Sequence, residues 1–352
     1  MNEELLYLTA LNRIFCFRPL TGRRLIENYG LKGLFSLGRG ELSELFRGDE
    51  KYISLFMEET ILEWSRGEVQ WAAQKGVKLI PYNGADYPVL LGECEDAPLM
   101  LYCFGSFDPS NRNMVSIVGT RLATNYGREC CDTVIAPMEG SGTVVVSGLA
   151  LGIDVTAHKK ALEYGLQSIA VMPCGLDMVY PGEHRKMAAR IARNGALLTE
   201  FSAGTKPLKI HFIKRNRIIA GLSESTIVVE SRIRGGAMST ARFALSYNRD
   251  VYAVPGRICD MNSAGCNYLI SKNIASIYTG PRQSLGNEPD LFSATNGEKE
   301  KILLSLKNNS VTDIEGLCRK TGMGFSAVSA LVLELELEGK IISLPGNNYK
   351  LT

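Results

Sequence analysis

The 352-residue chain holds only three histidines, and no two of them stand at metal-ligand spacing. Its nine cysteines are scattered, none forms a Cys-x-x-Cys pair, and their number is odd. That pattern excludes a zinc ribbon and a secreted disulfide framework, and fits reduced thiols in a cytoplasmic protein. No run of 18 or more apolar residues occurs, which excludes a membrane-spanning helix. The acidic start, Met1-Asn-Glu-Glu4, lacks a signal-peptide pattern. The phosphate-binding run G-x-x-x-x-G-K-[ST] is absent, which disfavours a P-loop NTPase. The dinucleotide fingerprint is absent too: its place is taken by S-G-L-A-L-G-I-D at Ser147–Asp154. Glu200 and Glu230 end strands where catalytic acids often sit, but no nucleophile accompanies them, so no enzymatic activity is expected.

Net charge is also scarce, at +2. The average hides an asymmetry: from Lys206 to Arg257 there are ten Lys/Arg and three acids. A local patch of that kind suits a polyanion, or else forms a solvated helix face.

From Met114 to about Gly280, short β-branched runs alternate with helical stretches. The strands are expected at Val115–Val118, Thr143–Ser147, Ser168–Met172, Ala196–Glu200, Ser225–Glu230 and Val251–Val254. That order predicts an α/β, doubly wound and mostly parallel sheet of extended Rossmann type. Residues 1–75 read as a small helical domain, with Leu5, Leu8, Leu11 and Ile14, then Leu25, Ile26 and Tyr29, on helical stripes. Short strands at 76–81 and 99–105 lead into the sheet, giving an α/β domain over 76–283. Residues 284–297 are polar and read as a linker. Residues 298–352 read as three helices and a hairpin, a winged helix.

Ligands of such sheets sit beyond the carboxyl ends of the strands. Gly119-Thr120-Arg121 follows the first strand of this pattern and Ser147-Gly148 the second, with Thr124 or Asn125 as one helix cap and Asp154 as the next. Glycine turns and helix N-termini present free N–H groups to an anion. The expected pocket uses Ser147 as hydroxyl donor and Arg121 as bidentate cation. An acidic cap repels phosphate, so the anion is expected one turn earlier than Asp154. His158, four residues on, is placed to pair with Asp154. Lys209 and Phe212, three residues apart, could hold a phosphate and stack the adjacent base, or Phe212 could be core.

At these residues the chain resembles the DNA-processing protein A (DprA/Smf) family. The matching runs are S-G-L-A-L-G-I-D-V-T-A-H, P-C-G-L-D-M-V-Y-P, K-R-N-R-I-I-A-G-L-S, Y-A-V-P-G and G-C-N-Y-L-I. The resemblance implies a single-stranded DNA-binding recombination mediator with no cofactor. Such a protein protects incoming strands in natural transformation and loads a RecA-type recombinase onto DNA covered by single-strand-binding protein. It also implies a homodimer through the Rossmann domain, near Cys266–Tyr278, a sterile-alpha-motif-like N-terminal domain and the winged helix. The DNA site carries over to Gly119, Arg121, Ser147, Lys209 and Phe212, beside Gly148, with Lys214, Arg215 and Arg217 as supporting charges. Three stretches depart from the family pattern: His184 where Asn is common, Ile213-Lys214 for Pro-Arg, and the turn Arg234–Thr240.

Two other readings compete. Nucleotide hydrolases of the lysine-decarboxylase-like superfamily share this Rossmann variant but use P-G-G-x-G-T-x-x-E; here Arg242 stands where the acid is needed. A duplex-DNA regulator would act through the winged helix. Its expected recognition helix, Ser326–Glu338, carries Glu334, Glu336 and Glu338 and no Lys or Arg. Residues 298–352 hold seven acids and seven bases, whereas groove docking needs positive charge. A protein-binding or packing role is expected for that domain.

Overall fold

A computed structural model describes residues 3–280, 296–307 and 311–352. The expected linker falls outside the described residues, except for positions 296 and 297. The chain divides into two compact units, Met1–Pro281 and Arg282–Thr352.

Six helices open the first unit: α1 (Glu3–Phe15), α2 (Pro19–Tyr29), α3 (Leu31–Leu34), α4 (Arg39–Leu45), α5 (Glu50–Met57) and α6 (Glu59–Lys75). Leu8, Leu11 and Leu25 are buried, as their periodicity predicts, whereas Tyr29 is exposed. The small core is aromatic at its centre, with Phe15 stacked on Tyr52 at 5.3 Å. Leu99 and Met100 of the next domain complete it. Asn12 of α1 also donates to the Glu200 carbonyl. The helices therefore dock on the sheet within one unit.

The sheet has nine strands among the described residues. They are β1 (Lys78–Pro81), β2 (Met100–Gly105), β3 (Met114–Gly119), β4 (Val144–Ser147), β5 (Ser168–Val171), β6 (Ala196–Thr199), β7 (Ser225–Glu230), β8 (Asp250–Ala253) and β9 (Ser276–Ile277). Their order is β1-β2-β6-β5-β4-β3-β7-β8-β9. From β6 to β9 every pair is parallel. β1 and β2 add two antiparallel strands at one edge. The short apolar runs are strands because both faces are covered: Met114, Val144, Val146 and Val171 pack on one side, Ile117, Val145 and Ile227 on the other. The covering helices are α7 (Val89–Gly92), α8 (Asn125–Ile135), α9 (Ile153–Glu163), α10 (Arg185–Asn194), α11 (Lys209–Gly221), α12 (Ala237–Ser246) and α13 (Ala264–Ser271).

The chain runs outward from β3 to β6, then returns to place β7 on the other side of β3. The crevice at the β3/β7 switch is where a ligand has room, because the connections leave in opposite directions there.

The second unit contains α14 (Asn296–Ser305), β10 (Thr312–Asp313), α15 (Ile314–Thr321), α16 (Phe325–Leu337), β11 (Ile341–Leu344) and β12 (Asn348–Leu351). Val328, Leu331, Val332 and Leu335 of α16 are buried, as expected of one apolar face. Lys299 of α14 pairs with Glu334 at 2.8 Å and Glu338 at 2.6 Å. Two of the three acids on this helix are thus held within the domain.

Candidate functional site

A cavity of about 970 Å³ opens at the β3/β7 switch. One wall carries Gly119 at the end of β3 and Thr120 and Arg121 after it, with Lys209, Phe212 and Arg215 of α11; the other carries Arg232, Arg234 and the first turn of α12. Of the nine residues expected at the site, Gly119, Arg121, Lys209, Phe212 and Arg215 line this cavity.

The Arg121 guanidinium lies 4.7 Å from the Phe212 ring centroid. Tyr180 approaches the same ring edge-on, at 5.6 Å and 73°, and is 42% exposed. Phe212 is therefore a cavity residue, not core. A base can stack on the open face of such a platform, against a ring or a guanidinium plane. Lys209, exposed at the start of α11, stands beside it with no ion-pair partner among the described residues.

The other four expected residues do not line the cavity. Ser147 is fully buried, and its hydroxyl donates to the Ile117 carbonyl at 2.6 Å. It ties β4 to β3 and is not available as an anion donor. Gly148 lies under Arg215: a Cβ there would run into the guanidinium, which donates to the Gly148 carbonyl at 2.6 Å. Lys214 turns to the N-terminal helices and donates to the Phe17 carbonyl at 3.3 Å. Arg217 is 2% exposed, ion-paired with Glu200 and bonded to the Asp96 carbonyl. It is a structural cation on the far side of α11. Burial pushes the Glu200 carboxyl up to about 7, while Arg217 pulls it down.

The cap of α9 is also different from expectation. Gly152 is the N-cap, at φ 78°, where a side chain would collide with the Thr120 carbonyl. Asp154 lies inside the first turn and is buried. Burial raises its pKa, while Arg215 and the backbone N–H groups of Ala150 and Gly119 lower it. A carboxyl of the chain itself thus sits where the strand-end turns were expected to cradle a phosphate. Burial likewise depresses Arg215 to about 10, with Asp154 opposing.

His158 does not pair with Asp154. Its Nδ1 meets the Ser168 hydroxyl at 2.7 Å, and that hydroxyl donates to the Val145 carbonyl. Thr124 caps α8, accepting from Gly127 N–H. Glu230 is committed as well, accepting from the Thr124 N–H and hydroxyl at 3.0 and 2.8 Å. The two strand-end acids, Glu200 and Glu230, are thus bound within the fold. Among the described residues no cluster of His, Cys, Asp or Glu could hold a metal, and no helix is long and apolar enough to cross a membrane.

Tyr180, Arg232, Arg234 and Thr240 line the cavity without having been singled out for it. Signals existed: Tyr180 is the last residue but one of the run P-C-G-L-D-M-V-Y-P, and both arginines belong to the basic stretch.

Fold and crevice together define a class: an extended Rossmann protein lacking the nucleotide fingerprints, whose switch-point cavity is walled by cations and aromatic rings. Comparison with known proteins gives that class its family. The family model for DNA recombination-mediator protein A matches residues 78–287, and the chain belongs to this family. The DprA winged helix domain matches residues 288–347.

Among its relatives, DNA processing protein DprA of Streptococcus pneumoniae is 40% identical over 194 residues, covering 55% of this chain and 68% of that protein. Protein Smf of Escherichia coli is 34% identical over 297 residues, covering 80% and 79%. The X-ray structure of the pneumococcal protein superposes with a TM-score of 0.67 at 32% identity, over 80% of this chain and 95% of that one. A Helicobacter pylori DNA processing protein A structure, described for its single-stranded DNA binding mode, gives 0.52 at 32% identity, over 57% and 90%.

Proposed function

We propose that this protein binds single-stranded DNA in the β3/β7 crevice and acts there as a recombination mediator. The observation that carries the reading is the Arg121 guanidinium set 4.7 Å from the Phe212 ring, with Lys209 in the same cavity. Cations hold the phosphates and the platform stacks a base, which is chemistry tolerant of sequence. Duplex DNA hides its base faces, so the platform has nothing to stack against. The described strand-binding mode of the Helicobacter relative supports this reading.

The mediator role extends to a RecA-type recombinase, loaded onto strands covered by single-strand-binding protein, as in natural transformation. Homodimerisation through the Rossmann domain belongs to the same proposal. The exposed Tyr268 and Ile277 near its last strand offer apolar area for that contact.

The test is fluorescence anisotropy with labelled oligothymidine and a duplex of the same length, across a salt series. The expected result is tight, salt-sensitive binding of the single strand and weak binding of the duplex. Comparable or stronger duplex binding would overturn the reading.

A further inference from the structure

We propose that the wall opposite Arg121 is a second phosphate subsite, built by the first turn of α12 with Thr240, Arg232 and Arg234. The inference rests on the DNA-binding reading of the cavity and deepens it: the ligand must present two phosphates, one to each wall.

The usual anion cradle of a Rossmann-type sheet is closed here. The buried Asp154 side chain takes up that end of the cavity, beside Gly119 and Ala150. The start of α12 is open by contrast. Its N-cap, Gly236, brings no side chain to the helix end. Among the described residues nothing accepts a hydrogen bond from the N–H of Gly236 or Ala237. Both residues line the cavity. Free N–H groups at a helix start are an anion site when a ligand can reach them.

Thr240 supplies an independent sign. It is 1% exposed and lines the cavity, and among the described residues its hydroxyl enters no hydrogen bond. A threonine this deeply set whose hydroxyl has no partner within the fold is placed to bond a ligand in the cavity. Two cations line the same cavity: Arg232 and Arg234 are exposed and form no ion pair among the described residues. Arg232 is oriented by Asn262, to which its Nε donates at 3.0 Å. The turn is rigid, because Asn216 of α11 bonds Ser239 at 2.8 Å and the Gly236 carbonyl at 3.4 Å. The cavity of about 970 Å³ is at the upper end of the range for small-ligand sites, ample for more than one nucleotide.

The phosphate can be an internal diester or a terminal monoester, and one experiment separates them. Oligothymidines of two to eight residues, with and without a 5′-phosphate, are titrated against wild type, Thr240→Val, Thr240→Ser and Arg234→Ala. The expected result is about tenfold weaker binding for Thr240→Val and recovery with Thr240→Ser, since the lost bond is one to a charged group. Arg234→Ala should lower the salt slope by about one unit. An effect independent of the 5′-phosphate assigns the diester; one confined to phosphorylated ends assigns the monoester. Wild-type affinity in Thr240→Val and Arg234→Ala, alongside weakened Arg121→Ala, would overturn the subsite and leave the DNA reading standing. Inorganic phosphate is titrated in parallel while the Gly236 and Ala237 amide resonances are followed. Their shift with no oligonucleotide binding would overturn the DNA reading and keep the subsite. No shift and no oligonucleotide effect would overturn the subsite outright.

Discussion

Arg121 covers one face of Phe212, with its guanidinium 4.7 Å from the ring centroid. The two residues come from different elements, the turn after β3 and the helix α11, and meet only across the switch crevice. Charge and stacking are therefore coupled at one spot, and their separate removal should read differently.

Arg121→Ala and Lys209→Ala should each weaken single-strand binding and lower the salt slope by roughly one unit, because each cation displaces counterions from the strand. Phe212→Ala should cost about 1–3 kcal/mol with little change in slope. In a double-mutant cycle, Arg121 and Phe212 should couple by about 0.5–2 kcal/mol. Purely additive effects would mean the guanidinium and the ring do not act as one platform.

Arg217 gives the contrasting case. Its charge is committed to Glu200 inside the fold. Arg217→Ala should destabilise the protein by about 3–5 kcal/mol, because it strands a buried carboxylate. The salt slope of DNA binding, measured below the unfolding transition, should not move. A slope reduced as much as in Arg121→Ala would place Arg217 on the DNA after all.

His158 predicts a pH dependence. Burial, helped by the charges of Arg215 and His184, depresses its pKa from 6.5 to about 3. Ser168 donates elsewhere, so Nδ1 carries the proton and Nε2 is buried without a partner. The unfolded chain takes up a proton near pH 6.5 that the folded chain refuses. The contribution to stability is fully present above about 6.5 and is lost as pH falls toward 3, at up to about 1.4 kcal/mol per pH unit. Urea unfolding between pH 6.5 and 4 should show a shallower decline in His158→Gln than in wild type. Parallel declines would remove His158 as the cause.

The winged helix should be dispensable for strand binding. Its α16 carries no Lys or Arg, and Lys299 is consumed by Glu334 and Glu338. A chain ending after Gly280 should bind oligothymidine within tenfold of the full chain by anisotropy. A larger loss would give this domain a direct hold on DNA.

Much of the architecture was legible in the chain itself. Each of the six runs read as strands in the alternating region is a strand, since a short apolar β-branched run between helices can be buried only inside a covered sheet. The concentration of positive charge was legible too, as ten cations against three acids over Lys206–Arg257. The side of α11 on which each charge falls was not. Apolar residues are spread around this helix, because it packs against the sheet, α12 and the N-terminal helices, and no single stripe marks a solvent face. Lys209, Phe212 and Arg215 turn to the cavity, while Lys214 and Arg217 turn away. Neighbours in sequence were divided by packing.

Composition and periodicity thus determined the strands and the helices, because those depend on local pattern. Tertiary structure alone decided which polar groups remain free. Ser147 spends its hydroxyl on the Ile117 carbonyl, and His158 turns to Ser168 and not to Asp154. A hydrogen bond between residues 30 apart depends on strand register and on the path of the connections, and neither is written in the spacing of the residues.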